Sequence, residues 1–360
     1  IVWDGETSTE WTTATNWVGD VAPLVSEDIQ ISTAASGNYP ILTANTSLAN
    51  LVIDAGTSVQ INAGIKFDVN GDIDVNGTLN LNGNGAEIDV SGNWDDETGT
   101  LTYSGNSKVR LSGTGNINSD PSNVLRNLTL KVGAGTYTAT SDLSIFGNVT
   151  IRGGTTLDVS SFTVDAISSG AFQLLNEGTI LFSHNNGILI SNADTFNGGS
   201  GAITFTADGT LKLKANQGTG LGTLTGAFGT IEYDRAGDQT IYNTTYHNLE
   251  IDGSGLKKVT HTPLDLDGNL TITNGTLDMT NGATQNNVID LEGNFLMNGG
   301  VLTAGTSDNH DVVGDWNDVN GTFQSGASAA GTITLSGAGS NINTAASNNF
   351  FNLTINSAGA

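Results

Sequence analysis

The stretch "GNLTITNGTLDMTNG" (residues 268–282) has two near copies earlier in the chain, "GNVTIRGGTTLDVSS" (147–161) and "GDIDVNGTLNLNGNG" (71–85). In each copy apolar and polar residues alternate, as Leu270 and Ile272 do around a threonine. Successive side chains of a strand point to opposite faces, so this alternation predicts strands with one apolar face. Glycine and asparagine interrupt the alternation where turns are expected.

These copies belong to a repeat of nearly constant period. A phrase Asn-Leu-x-Ile/Leu precedes each copy by one period, and a phrase Gly-Asn/Asp-Trp/Phe recurs at a similar spacing. The two phrases open at Asn50, Asn127, Asn248 and Asn352, and at Gly92, Gly293 and Gly314. One such unit cannot bury its apolar face alone, and a fixed period of this size is typical of solenoids, whose stacked units share a core.

A longer duplication spans several periods. Residues 90–130 match residues 312–355, with Trp94 aligned to Trp316. The offset between matching residues drifts only from 222 to 225. Because the match extends over two periods, it indicates duplication of a multi-unit block.

We therefore predict an all-β fold, a parallel β-helix or β-solenoid, in which one circuit of the chain (a rung) takes about 20–21 residues. Residues 1–45 are predicted to form an atypical Trp-rich rung that caps or joins the stack, and residues 46–360 to form continuous repeats with an uncapped C-terminal end. With ~4.8 Å between stacked strands, about 17 rungs would make a rod on the order of 80 Å long.

Asparagines at matching corners are expected to form hydrogen-bonded ladders. An array of Ig-like sandwiches is the competing fold, but such modules do not repeat at this period.

The composition of the chain limits the partners and binding sites that can be expected. The net charge of −25, from 11 basic and 36 acidic residues, disfavours nucleic acid as a partner. Cysteine is absent, which excludes disulfides and thiolate metal sites. No apolar stretch approaches a membrane span, so membrane insertion is not expected. The chain opens at Ile1 without a signal peptide, and we expect an extracellular protein whose signal has been removed.

The two ends of the stack supply candidate capping and assembly residues. Trp3, Trp11 and Trp17 are predicted to cap the first rung, and the alternative is a platform on which sugar rings stack. The other end finishes within a repeat phrase and presents Phe350, Phe351, Leu353 and Ile355. Either the chain is part of a longer repeat protein, or this end receives another copy in a head-to-tail filament.

Calcium is the cofactor that the sequence suggests. Aspartates at alternate positions are expected to share one strand face and to offer rows of oxygen ligands. The candidate ligands are Asp68, Asp72, Asp74, Asp265 and Asp267. The alternative is a solvated polar face with no bound ion.

No catalytic constellation stands out. The adjacent pair Asp95 and Asp96 is the obvious pair of acids for a β-helix hydrolase or lyase, but its aligned copy is Asn317 and Asp318, which favours a structural turn. The four histidines are scattered without metal-binding spacing and are expected at the surface or in turns: His184, His247, His261 and His310. We therefore expect a protein that is not an enzyme.

Several phrases resemble the repeats of bacterial cell-surface β-solenoid proteins, both adhesin-like and autotransporter-passenger-like. They are "WDGETSTEWTTATNWVGDVAP" (3–23), "GNWDDETGTLTYSG" (92–105), "GNLTITNGTLDM" (268–279) and "FFNLTINSAG" (350–359). The resemblance implies secretion and a structural or adhesive role. The predicted function is a surface fibre, filament or matrix protein that self-associates head to tail or binds other surface components. A carbohydrate-binding adhesin domain is the first alternative, and a polysaccharide lyase or hydrolase the second.

Overall fold

The computed structural model describes residues 1–167, 172–192, 195–217, 220–280, 287–305, 309–325 and 331–356. It confirms the all-β parallel solenoid, with about 14 turns. Within these ranges, the elements are short strands in six parallel sheets, together with one 3-10 turn, Ala14–Asn16. Among the described residues, no helix has the length and apolarity of a membrane span.

The six sheets form three faces, and the chain visits each face once per rung. Face 1 contains Ile41–Leu42, Ser58–Asn62, Thr78–Asn82 and Thr100–Ser104, and then Val124–Arg126, Leu143–Phe146, Thr163–Ile167, Ile188–Ser191, Thr210–Leu213, Thr230–Tyr233, Asn248–Ile251, Leu270–Ile272, Phe295–Met297, Trp316–Asn317 and Ile342–Asn343. Face 2 contains Thr46–Leu48, Lys66–Val69, Glu87–Val90, Lys108–Leu111, Thr129–Leu130, Val149–Ile151, Gln173–Asn176, Thr195–Asn197 and Asn216–Gln217, and then Gln239–Ile241, Leu256–Val259, Thr276–Asp278, Val301–Thr303 and Thr322–Gln324. Face 3 contains Val2–Trp3, Ile29–Ile31, Leu51–Ile53, Ile73–Val75, Trp94–Asp96, Gly115–Ser119, Thr136–Ala139, Thr156–Asp158, Thr179–Phe182, Ala202–Phe205 and Thr223–Thr225, and then Leu264–Leu266, Ile289–Leu291, Asn309–Val312, Thr332–Leu335 and Asn352–Ile355.

The predicted 17 rungs are too many. The rung between the paired residues Thr230 and Asn248 is short, whereas the rung between Val2 and Gln30 is much longer than the repeat period. Long rungs consume chain without adding height. About 14 turns at ~4.8 Å each give a rod on the order of 65 Å, shorter than the 80 Å expected.

Alternation of side chains builds the core as expected. In Leu270–Ile272 the two apolar residues are buried and the threonine between them is half-buried on the outside. Parallel in-register pairing stacks these inward residues on those of the next rung, as Leu270 stacks on Phe295. The core therefore runs the length of the stack, and each rung depends on its neighbours for burial.

The predicted corner ladders are present, and they link side chain to backbone. Asn50 Oδ1 accepts the Asp72 N–H at 2.7 Å, Asp72 Oδ1 accepts the Asn93 N–H at 2.7 Å, and Asn93 Oδ1 accepts the Asn116 N–H at 2.8 Å. A second ladder runs from Asn248 through Asn269, Asn294 and Asp315 to Asn341. Each oxygen satisfies a backbone donor at the bend before a strand, where the sheet ladder has not yet begun.

The ladders explain why glycine precedes asparagine or aspartate in the repeat phrase. A Cβ on Gly71 would overlap Asn50 Oδ1, and one on Gly92 would overlap Asp72 Oδ1. Neither of these glycines has a positive φ. Close approach of the ladder oxygen, and not a left-handed backbone, requires glycine here.

Replacing Gly92 with alanine is expected to lower the free energy of unfolding by about 1–3 kcal/mol, because the added methyl displaces the ladder oxygen and meets Gly71 O at 2.8 Å. Gly153 is the matched control, since its nearest neighbour would be Glu177 O at 3.8 Å. Gly153→Ala is expected to be neutral or to stabilise by up to about 1 kcal/mol. Urea unfolding followed by circular dichroism measures both, and equal losses would contradict the close-approach explanation.

Candidate functional site

The first group of predicted calcium ligands does not converge. Asp68 lies on face 2 and pairs with Lys66 at 2.6 Å, whereas Asp74 lies on face 3 and accepts a hydrogen bond from Asn76 at 2.8 Å. Asp72 lies at the bend between them, where its Oδ1 belongs to the corner ladder. The expected common strand face is therefore not what the structure shows, because the chain turns from one face to the next between Asp68 and Asp74.

The second group of predicted ligands, Asp265 and Asp267, is also separated, but Asp265 belongs to a row of stacked carboxylates. Asp265 is in register with Asp290, which is in register with Asp311, so three carboxylates stack on face 3. Burial, together with the two neighbouring charges, raises the pKa of Asp290. Asp267 is exposed at the next bend and lines a separate groove with Phe228 and His247. Sequence reasoning missed Asp290 and Asp311, although an offset of one rung from Asp265 would have found them.

One further acidic cluster lies on face 1. Glu232, Asp234 and Asp252 each offer an oxygen within 4.8 Å of the others, a donor set that suits a hard cation such as calcium. Two lysines already occupy its margin, because Lys212 Nζ lies 2.7 Å from Glu232 and Lys214 Nζ lies 3.1 Å from Asp234. A cation binding here would compete with these ammonium groups. The calcium prediction therefore stays a prediction.

The adjacent acids Asp95 and Asp96 belong to a structural motif that is largely buried. Trp94 Nε1 donates to Asp96 Oδ1 at 3.0 Å, and both side chains are buried while Asp95 lies on the outside. Asn123 braces the same bend, donating to the carbonyls of Asp96 and Gly99 at 3.0 and 3.1 Å. Burial raises the pKa of Asp96 to about 6.

The duplicated block repeats this motif. Trp316 Nε1 donates to Asp318 Oδ2 at 3.0 Å, and Asn348 donates to the carbonyls of Asp318 and Gly321 at 3.1 and 3.2 Å. The carboxylates of Asp96 and Asp318 are both inaccessible to solvent. A role in positioning the tryptophan explains these acids better than substrate chemistry does.

One histidine departs from its expected surface position. His310 is buried in Asn309–Val312, where its Nδ1 accepts the Ile289 N–H at 3.0 Å. Burial lowers the pKa of this imidazole to about 4. The ring is therefore neutral at physiological pH and bonds to the backbone of the adjacent rung.

The three N-terminal tryptophans form one buried cluster. Trp17 packs edge-on against Trp3 and Trp11, with ring centroids 4.9 and 4.8 Å apart, and Trp11 contacts Phe67 in the stack. Their indole N–H groups donate to the backbone, Trp3 to Asn38 O and Trp17 to Trp11 O, each at 2.8 Å. All three are buried, so their faces are not available to stack on sugars.

The N-terminal segment also covers strand edges. Trp17 bridges antiparallel to Trp3, and the Val18 N–H donates to Val2 O at 2.9 Å, which covers the free edge of face 3. Glu10 bridges to Ile41 and covers the edge of face 1. Covered edges do not template further strands.

The opposite end exposes core-type side chains. Leu353 and Ile355 are in register with buried Ile333 and Leu335, so they point toward the core side of their rung. They are nevertheless 40% and 66% exposed. Phe350 differs from this pair because it packs against Trp316, with ring centroids 5.5 Å apart.

The aligned residues of the first block differ from this pair in their exposure. Leu128 and Leu130, which correspond to Leu353 and Ile355, are inaccessible to solvent because another rung covers them. Phe351 adds to the exposed apolar surface at 47%. We call Phe351, Leu353 and Ile355 the terminal apolar surface.

Comparison of the chain with protein-family models, with curated proteins and with solved structures finds no match.

Proposed function

We propose that this protein is a structural β-solenoid of an extracellular surface fibre or matrix, and that copies associate head to tail through the terminal apolar surface. The observation that carries the proposal is the exposure of Leu353 and Ile355 on the core side of their rung. Apolar side chains in register with a buried core gain most from being covered by another apolar surface.

The N-terminal end offers apolar side chains of its own. The loop after the tryptophan cluster exposes Val18, Val21, Leu24 and Val25, each by 59–67%. Because the edges of faces 1 and 3 are covered at this end, we propose a contact between side chains and not an added strand on those faces. A contact between two different ends of identical copies does not close on itself and builds a filament.

The net charge of the protein affects how strongly copies associate. The net charge of −25 opposes association of copies, and salt screens that repulsion over about 10 Å. Association is therefore expected to strengthen as salt is added, as an apolar contact between like-charged particles does. The resemblance to bacterial surface repeat proteins agrees with this role.

A structural role is also proposed in preference to catalysis. The five aspartates of the calcium hypothesis do not come together at one place, and the acids at Glu232 and Asp234 pair with lysines. The buried acids Asp96 and Asp318 each bond to a tryptophan. These arrangements account for the acids as parts of the scaffold.

Sedimentation velocity over a range of protein and salt concentrations, with negative-stain electron microscopy, tests the proposal. The wild type is expected to form end-to-end oligomers, and the double variant Leu353→Lys, Ile355→Lys to remain monomeric. Leu256→Lys is the matched control, because Leu256 is 43% exposed on the side of the rod, on face 2. This control should associate like the wild type.

Circular dichroism establishes that each variant folds. A wild type that stays monomeric at every concentration would overturn the assembly proposal, as would equal association of the terminal variant and the wild type. Repeating the experiment with a chelator tests calcium, because loss of oligomers on chelation would place a cation at the junction.

A further inference from the structure

The basic residues of this acidic protein are concentrated on one face. Five of the eleven lysines and arginines lie in or directly after four nearby strands of face 2. They are Lys66, Lys108, Arg110, Lys131 and Arg152. This cluster lies on the side of the rod, away from the terminal apolar surface.

Four of these cations surround an open trough of about 490 Å³. Lys108 and Arg110 form one wall, and Lys131 and Arg152 lie on the two following rungs. We call this surface the cationic trough. Of the described residues that line it, none is acidic.

The trough forms because, along one row of in-register residues, a long side chain on one rung is followed by short side chains on the next two rungs. Arg110 pairs with Thr129, which pairs with Thr150, so two threonines continue the row that the arginine begins. Lys131 and Arg152 come two residues after these threonines and point to the same side of the sheet. The threonine hydroxyls thus form a polar floor beside long cationic side chains.

The cations keep donors available to a ligand. Arg110 meets Glu87 through Nε at 3.1 Å, which leaves its two terminal nitrogens, and Arg152 meets Glu177 through Nη1 at 2.8 Å. Lys131 Nζ lies 2.8 Å from the buried Asp89, and Lys108 makes no ion pair with any described residue. An anion in the trough can therefore accept charge-assisted hydrogen bonds from these cations while existing ion pairs with neighbouring carboxylates remain.

We propose that the cationic trough binds an anionic polysaccharide, one that carries carboxylate or sulfate groups. Cations on successive rungs repeat at ~4.8 Å, which suits charges that recur along a linear chain, and the threonine floor suits sugar hydroxyls. This site is independent of head-to-tail assembly, because it lies on a side of the rod and not at an end.

Nucleic acid fits the trough less well. Of the described residues that line it, none is aromatic, so unpaired bases have no ring on which to stack. A glycan needs no such ring, and its hydroxyls can bond to the threonines of the floor.

Isothermal titration of the full chain with alginate hexasaccharides, dextran sulfate, neutral dextran and single-stranded oligothymidylate tests the proposal. Binding of alginate or dextran sulfate, weakening as salt rises, is the expected result. Alginate alone would assign the site to carboxylated chains, and dextran sulfate alone to sulfated chains. Binding of dextran as tight as that of the anionic glycans, of the oligonucleotide only, or of none of the four would overturn the proposal.

A variant pair assigns the binding to the trough. Lys108→Gln with Arg152→Gln removes two of the four cations and is expected to weaken glycan binding about tenfold, a loss of about 0.7 kcal/mol per charge. Lys258→Gln removes a cation outside the trough and should leave the affinity unchanged. Equal affinities for the double variant and the wild type, with both folded by circular dichroism, would place the ligand elsewhere.

Discussion

Replacing Asp96 with asparagine is expected to stabilise the protein at neutral pH by up to about 3 kcal/mol. Asparagine keeps the acceptor for Trp94 Nε1 and removes a carboxylate that is inaccessible to solvent. Burial outweighs the hydrogen bonds around this carboxylate, and its second oxygen has no well-aligned partner among the described residues, so its charge is not fully compensated. Ser119 lies beside the carboxylate and provides a hydroxyl that can accept from the new amide.

The stabilisation should depend on pH with a defined sign. The folded pKa of Asp96, about 6, lies above the ordinary value of 3.8, so the folded protein holds this proton more tightly than the unfolded chain does. The penalty of the buried charge is therefore complete above pH 6 and disappears near pH 4. Urea unfolding of wild type and variant at several pH values measures the difference, and a constant difference would contradict the assignment.

The aligned acid provides an internal control with the opposite expectation. Asp318 uses both oxygens, because it accepts from Trp316 Nε1 at 3.0 Å and from the Ala345 N–H at 3.2 Å. Asparagine would turn an amide group toward one of these donors. Asp318→Asn is therefore expected to destabilise by about 1–3 kcal/mol. Stabilisation by both substitutions would show that the second hydrogen bond does not matter.

Replacing Lys257 with methionine is expected to destabilise the protein by about 3 kcal/mol or more. The Lys257 side chain is completely buried, and its Nζ donates to the carbonyls of Arg235, Gly237 and Ser254 at 2.8, 2.9 and 2.9 Å. Methionine fills a similar volume and donates to none of them. The ammonium group thus links two neighbouring bends by hydrogen bonds. Its loss leaves three backbone carbonyl oxygens without their donor.

Lys258→Met is the matched control, since the same substitution one residue later falls on a half-buried side chain that points outward. Its effect is expected to stay within about 0.5 kcal/mol. Hydrogen exchange with mass spectrometry localises the change, because stability in a solenoid is shared mainly between adjacent rungs. Protection should fall around residues 235–258 for Lys257→Met only, and uniform loss along the rod would contradict a local role.

Part of the candidate site followed from the sequence and part did not. The sequence named Leu353 and Ile355 as assembly residues, and they are 40% and 66% exposed, but their role in assembly stays a prediction. The calcium hypothesis grouped aspartates that are close in sequence, whereas the structure groups Asp265 with Asp290 and Asp311. In a solenoid, functional neighbours lie one rung apart, so local spacing alone does not identify them. The cationic trough was missed for the same reason.

The sequence by itself determined the secondary structure and the stacking. The alternation of apolar and polar residues determines which side of each strand is apolar. The repeat period requires the strands to stack as rungs. Glycine occurs at the bends where a ladder oxygen comes close to the backbone. These properties depend on residues within one or two periods of each other. Local physical chemistry is therefore sufficient to establish them.

Only the tertiary structure decided which face each repeat occupies. The three copies of the opening phrase contribute Ile73–Val75 to face 3, Val149–Ile151 to face 2 and Leu270–Ile272 to face 1. Trp94 and Trp316 likewise lie on different faces although their surroundings match. Rungs of unequal length change which face a given repeat phrase reaches. The side chains that meet across rungs depend on the accumulated lengths of all the intervening bends, which no single phrase encodes.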